Sequence, residues 1–271
     1  MRSCKFLFLN CLGFLFMGTA LGFNPLAHME IARRAFPDVS DALNRDYGAV
    51  APDVALYVAD LSRWPSAFED THYTFIDLRG YALSAAQRSF ALGWLSHNEA
   101  WGADHVAHIE WNGQDGYVVD KAAILPGQEN LSDELAHYAV EAAVDLLLKR
   151  SDRALGRRLL EATLYRSWQD RSLLTWILVW RNRRTDWWTL NSTELEFRYL
   201  LFLYAAALSQ PEPRDLEALS LLAAQLGETW FGTTADPSEI AGILQAAMGL
   251  CANDYETALE AAVTSIRNNV P

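Results

Sequence analysis

After residue 24, apolar residues recur every three to four positions along most of the chain, the spacing of helices that bury one face. The pattern predicts a helix over 25–36 (PLAHMEIARRAF) with Pro25 near its start. Residues 38–61 read as a short helix, a turn at Gly48, and then APDVALYVADL. A long helical pattern runs from 85 to about 107, with Phe90, Trp94 and Leu95 apolar and with Gly93 and Gly102 as weak points. Residues 109–128 are the most loop-like, with a short strand expected at GYVV. Ser132 then suits an N-cap, and Asp133 and Glu134 the first turn of a helix reaching about Lys149. Further helices are expected at about 153–165, 168–182, 192–208, 213–227 and 236–268, with breaks at 181–186, 210–213 and 232–237. LLTWILVW and YLLFLYAAAL fall short of the roughly 20 apolar residues that cross a bilayer, so they read as buried core. The prediction is an all-α fold.

The beginning of the chain changes this picture. Arg2 and Lys5 precede an apolar run, and Ala20-Leu21-Gly22 supplies the small residues of a cleavage site, so residues 1–22 read as a signal peptide. The expected location is secreted or periplasmic; the alternative is a membrane anchor formed by an uncleaved signal. Losing Arg2 and Lys5, and no acid, takes the formal charge from −12 to −14, which opposes attraction to nucleic acid or anionic lipid at long range. Cys4 and Cys11 leave with the signal, and Cys251 alone cannot staple a fold. What remains divides into 23–150, which holds the candidate chemistry, and a helical region 151–271 packed on it. There is no internal repeat, no glycine-rich phosphate loop and no G-x-S-x-G elbow of a serine hydrolase.

The chemistry lies in six histidines, His28, His72, His97, His105, His108 and His137, accompanied by Asp53, Asp104 and Glu141. Imidazole and carboxylate are the ligands zinc takes where thiolates are absent. On a regular helix at about 100° per residue, His97, Asp104 and His108 fall within about 40° of one another and His105 about 80° from His97. His97 and His108 would stand roughly 16 Å apart along the axis, so one ion cannot take both. His137 and Glu141 form H-x-x-x-E on one helix face, a spacing that lets both grip one metal. Taken singly, these residues also fit plainer roles: half-buried polar positions on an amphipathic helix, a core histidine at His72, a helix cap at Asp53.

The order H…PD…H…GWLSH…D…H…H-x-x-x-E resembles the zinc-dependent phospholipase C and single-strand nuclease superfamily over about residues 23–145. Its most specific pieces are APD at 51–53, FALGWLSH at 90–97 and H-x-x-x-E at 137–141. The resemblance implies one large multi-helix domain of the zinc-dependent phospholipase C type with one to three Zn2+ ions. It assigns Asp53, His72 and His97 to one zinc. One of His105 and His108, with His137 and Glu141, would hold another, and the main chain of Phe23, freed by signal cleavage, with His28 the third. The family's bridging aspartate is expected four residues after the histidine of GWLSH, where this chain has Trp101. Asp104 is the nearest substitute, but on a straight helix it lies about 10 Å from His97, so it bridges only if the helix kinks near Gly102.

The resemblance implies a phosphodiesterase in which Asp53 and Asp104 act on the attacking water. A phospholipid headgroup is favoured over nucleic acid as substrate, with transient contact to a membrane surface and no protein partner. Trp168, Trp176, Trp180, Trp187 and Trp188 with Arg181, Arg183 and Arg184 could form an interfacial patch, or core aromatics beside a basic loop. For a nuclease or nucleotidase, Tyr73, Trp101 and Trp111 are the candidate base-stacking residues. A third alternative is a non-catalytic, metal-stabilised helical binding protein that has lost its bridge to Trp101.

Overall fold

The computed structural model describes residues 23–57, 68–73, 76–129, 131–165, 173–174, 187–231 and 235–270. The signal segment 1–22, most of the helix expected at 168–182, and the side chains of the tryptophan–arginine patch lie outside the described residues. Among the described residues the chain is helical, with no strand.

Local sequence accounts for most helix starts. Helix α1 (Pro25–Ala35) opens with proline at N1. Helix α2 (Ala42–Val50) is capped by Asp41, whose carboxylate accepts from Asn44 N. It runs straight through Gly48, where a turn was expected, and passes into a 3₁₀ segment, Ala51–Tyr57. Helix α3 (Ala85–His97) opens with a reciprocal capping box between Ser84 and Gln87. Gly48 serves packing: a Cβ there would lie 2.2 Å from the Phe90 carbonyl oxygen, and one on Gly93 would lie 2.0 Å from that of Arg45. The two glycines let α2 and α3 touch backbone to backbone.

The stretch read as loop and strand is instead helix α4 (Tyr117–Glu129), whose Tyr117, Val118, Ala122 and Leu125 are buried. The core claimed these apolar residues in helical phase, overriding the β-propensity of valine. Helix α5 (Asp133–Ser151) starts at the Ser132 cap as expected. Then follow α6 (Leu155–Leu164), α7 (Trp187–Leu208) and α8 (Arg214–Phe231). The single helix expected over 236–268 is two, α9 (Pro237–Cys251) and α10 (Tyr255–Asn269). Asp254, in the turn between them, accepts from Tyr117 Oη at 2.9 Å and from Lys121 Nζ at 2.6 Å, which ties the break to α4.

One continuous core of buried residues runs from Phe23 to Ile266. Helix α1 lies inside it, packed by α2, α3, α5, α6 and α10. The C-terminal helices buttress the first half: α9 packs on α5, and α7 on the 3₁₀ segment. Arg34 of α1 pairs with Glu256 and Glu260 of α10, each at 2.8 Å. Ser265 Oγ of α10 donates to the Trp101 carbonyl at 2.7 Å. No helix among the described residues is long and apolar enough to cross a membrane. YLLFLYAAAL lies in α7 with Leu200, Leu201, Ala205, Ala207 and Leu208 buried.

Candidate metal centre

The pattern that read as one helix over 85–107 breaks after His97. The Asn98 side chain accepts from Ala100 N and Trp101 N at 3.0 Å each, closing a turn in place of the next helical bonds. Gly102 packs into that turn, where a Cβ would lie 2.6 Å from the carbonyl oxygens of both Ser96 and Asn98. The chain then re-forms as a π-helical turn, His105–Ile109. A second π turn, Glu69–Tyr73, carries His72; such wide turns recur at functional sites. The reversal brings Asp104 back beside His97.

Asp104 is fully buried, and its two oxygens face two sides. Oδ1 lies 3.4 Å from His28 Nε2; Oδ2 lies 3.1 Å from His97 Nε2 and 4.0 Å from His72 Nε2. Asp53, from the 3₁₀ segment, completes this half, its Oδ1 lying 3.6 Å from His72 Nε2 and 3.5 Å from His97 Nε2. The other half is His108, His137 and Glu141. The two imidazole Nε2 atoms face each other at 3.1 Å, and Glu141 Oε1 stands 3.0 Å from His137 and 3.9 Å from His108. Three sets of ligand atoms result, each within 4.8 Å of one another: His28, Asp53 and His97; His72, His97 and Asp104; His108, His137 and Glu141. Each set can hold a metal ion.

The outer nitrogens of two imidazoles are already occupied. His97 Nδ1 donates to the Ala49 carbonyl at 2.9 Å, because a carbonyl only accepts, and His72 Nδ1 is bonded to Thr71 Oγ1 at 2.6 Å. Both rings are thereby held with Nε2 toward the carboxylates, the orientation that supports a metal ligand. Yet the close contacts leave His28 Nε2, His72 Nε2, Asp53 Oδ1, Asp104 Oδ1 and Glu141 Oε2 without a hydrogen bond. At about 1–3 kcal/mol each, five such atoms cost about as much as a domain's entire net stability of ~5–15 kcal/mol. Cations remove that cost. Ligands about 2.0–2.1 Å from a tetrahedral zinc lie about 3.3 Å from one another, close to the separations found here.

The electrostatics agree. Burial, and then His97, His108 and His72, drive His28 well below the usual imidazole range, against the Phe23 backbone pulling upward. Burial and His137 lower His108 in the same way. Burial pulls His97 down too, but Asp104 and Asp53 outweigh it and hold it at about 9. Burial lifts Glu141 to about 8, Asp53 and Asp104 adding to it against the opposing pull of His137. A cation inverts this logic by favouring neutral imidazole and ionised carboxylate together.

Eight of the expected ligands therefore converge: His28, Asp53, His72, His97, Asp104, His108, His137 and Glu141. His105 does not join them. Its Nδ1 bonds to the Glu99 carbonyl at 3.1 Å, because the π turn directs His108 to the cluster and His105 away from it. Phe23 is buried with its ring edge-on to His28 at 6.5 Å and tilted against Tyr117. Trp101 is partly buried against the core and Trp111 packs edge-on to Tyr117; the side chain of Tyr73 lies outside the described residues. Sequence reading missed Thr71 and the Ala49 carbonyl, which orient the rings, and also Asp145, one turn past Glu141 in a pattern H-x-x-x-E-x-x-x-D. Comparison of the chain with protein-family models, with curated proteins and with solved structures gives no match.

Proposed function

We propose that this chain is a zinc-dependent phosphodiesterase of the all-helical phospholipase C type, exported through its N-terminal segment and acting on a phospholipid headgroup. The observation that carries the reading is Asp104, whose carboxylate stands between His28 on one side and His97 and His72 on the other. That position supports Asp104 as the bridging ligand, in place of the aspartate the resemblance leads one to expect at Trp101. His28 with the Phe23 main chain, the Asp53–His72–His97 set and the His108–His137–Glu141 set would each hold one zinc, with Asp104 shared by the first two.

Zinc held there supplies Lewis-acid polarisation of a phosphoryl oxygen and a source of hydroxide at neutral pH. The protein's own part follows from exposure. Asp104 is enclosed, so its role is to fix the spacing of the two sets it separates. The Asp53 side chain is 13% exposed and that of His137 16%, so a phosphodiester approaches between them. Asp53 is then the carboxylate placed to orient an attacking water and take its proton.

The favoured substrate rests on two further observations. The formal charge opposes a polyanion. Helix α7 packs on the 3₁₀ segment that carries Asp53, with the Phe197 ring tilted against Tyr57 at 5.4 Å. The same helix presents Leu195 and Tyr199, 69% and 60% exposed, with Phe202 on one outward face, which suits contact with a lipid surface. The test is elemental analysis for zinc on protein made with its own N-terminal segment, followed by assays on phosphatidylcholine vesicles and on a single-stranded oligonucleotide. Hydrolysis of the vesicles is expected. Cleavage of the oligonucleotide alone would move the reading to a nuclease, and zinc-loaded protein inert on both would leave a metal-stabilised binding protein.

A further inference from the structure

Helix α1 begins without a cap of its own. Asn24 occupies the N-cap position, yet its side chain makes no bond to the turn it precedes. Its amide donates instead to Tyr204 Oη of α7 at 3.2 Å. The amides a cap would have served belong to Leu26 and Ala27, and they donate to the two oxygens of Asp145, at 3.0 and 2.8 Å. Tyr204 Oη donates to the same carboxylate at 3.0 Å. One fully buried aspartate from α5 thus takes the Leu26 N–H and shares the Ala27 N–H, which also reaches the Asn24 carbonyl at 3.0 Å, at the positive end of α1.

The placement of Asp145 gives this contact its meaning. It follows Glu141 by four residues and His137 by eight, so one face of α5 carries two metal ligands and then the clamp on α1. His28 is the residue immediately after Ala27. A local cap from Asn24 would stabilise the helix without burying a carboxylate, which is costly. The remote cap does something a local one does not: it fixes where α1 begins relative to α5.

We propose that Asp145 is a positioning residue which sets the depth and phase of α1, so that metal binding at His28 depends on it while binding at His108, His137 and Glu141 does not. This rests on the metal-binding reading above. Tyr204 holds the carboxylate and Asn24 together, so the segment between Phe23 and His28 is fixed from both ends.

The test titrates the full chain, freed of metal, with cobalt(II), following the visible absorption of the bound ion for wild type, Asp145→Asn, His137→Ala and the double variant. Amide hydrogen exchange at Leu26 and Ala27 is measured on the metal-free proteins. Asp145→Asn is expected to speed exchange at these amides about tenfold, the factor one lost hydrogen bond supplies. It should also weaken one cobalt site at least tenfold, and that loss should add to the separate loss in His137→Ala. Tyr204→Phe, which keeps both carboxylate oxygens, should shift both readouts in the same direction by less, and it replaces Asp145→Asn should that variant not fold. Faster exchange with wild-type cobalt binding would reduce Asp145 to a helix cap and overturn the proposal. A wild type that takes up no cobalt would overturn the metal reading itself, and the positioning role with it.

Discussion

His97 Nε2 and Asp104 Oδ2 stand 3.1 Å apart, although seven residues of straight helix would separate them by about 10 Å along the axis. The turn at Asn98 and the close packing of Gly102 account for the difference. Gly102→Ala drives a Cβ into two backbone carbonyls that cannot move independently. The expected cost is about 1–3 kcal/mol of stability, together with lower metal content, read by urea denaturation and elemental analysis. A variant with both values unchanged would show that the turn does not depend on glycine.

Because Asp104 already lies between the two sets, Trp101→Asp should add no ligand. Trp101 packs partly buried against the core, and its carbonyl accepts from Ser265. The variant should lose stability, by about 1–3 kcal/mol for the truncated packing, without gaining metal or hydrolysis. A gain in either would mean that Asp104 does not serve as the bridge.

His105 and His137 make a matched pair of tests. His137→Ala removes a nitrogen facing His108 at 3.1 Å, so one metal site should be lost while the rest stay loaded. His105→Ala removes a ring bonded to a main-chain carbonyl and should leave metal content at the wild-type value. Metal analysis of both variants decides whether the π turn selects His108 over His105.

Burial lifts the Asp145 carboxyl to about 7, against the downward pull of the bonds from Leu26, Tyr204 and Ala27. A folded-state value above the unfolded one, about 3.9, means the folded protein keeps this proton while the unfolded chain gives it up. The associated stability is fully present below about pH 4, declines as pH rises to about 7, and is then constant. Relative to Asp145→Asn, whose side chain does not titrate, the wild type should lose stability between pH 5 and pH 8 in metal-free denaturation curves. A relative gain over that interval would show that the three donors hold the carboxylate ionised.

Lys149 and Asp215 form a buried ion pair between α5 and α8, and Lys149 also donates to the Gln210 carbonyl at 2.7 Å. Lys149→Met strands a buried aspartate and should cost about 3–5 kcal/mol. Lys149→Met with Asp215→Leu should recover a large part of it. Thermal or urea melts of the single and double variants give the comparison, and an equal loss in both would assign the effect to packing alone.

Periodicity and capping residues made much of the helical framework legible: α1 and α5 begin where Pro25 and Ser132 predict, and an all-helical chain follows from apolar spacing. Ligand chemistry was legible as well, since histidine and carboxylate types and the His137–Glu141 spacing do not depend on the fold. Helix phase was misleading at four places, the first being the pattern over 85–107, which breaks after His97. Gly48 reads as a turn and is a packing contact; GYVV reads as a strand and starts α4; the helix at 236–268 divides where Asp254 meets Tyr117 and Lys121.

The sequence by itself determined which side chains could bind metal, and that His28, His137 and Glu141 ride on helices α1 and α5, because composition and local spacing are properties of the chain. Tertiary structure alone decided that Asp104 returns to His97, that His108 and not His105 faces the cluster, and that Asp145 caps a helix more than a hundred residues away. Those outcomes depend on a turn, a π-helical phase and a contact between remote segments, and each is set by packing that no local pattern encodes.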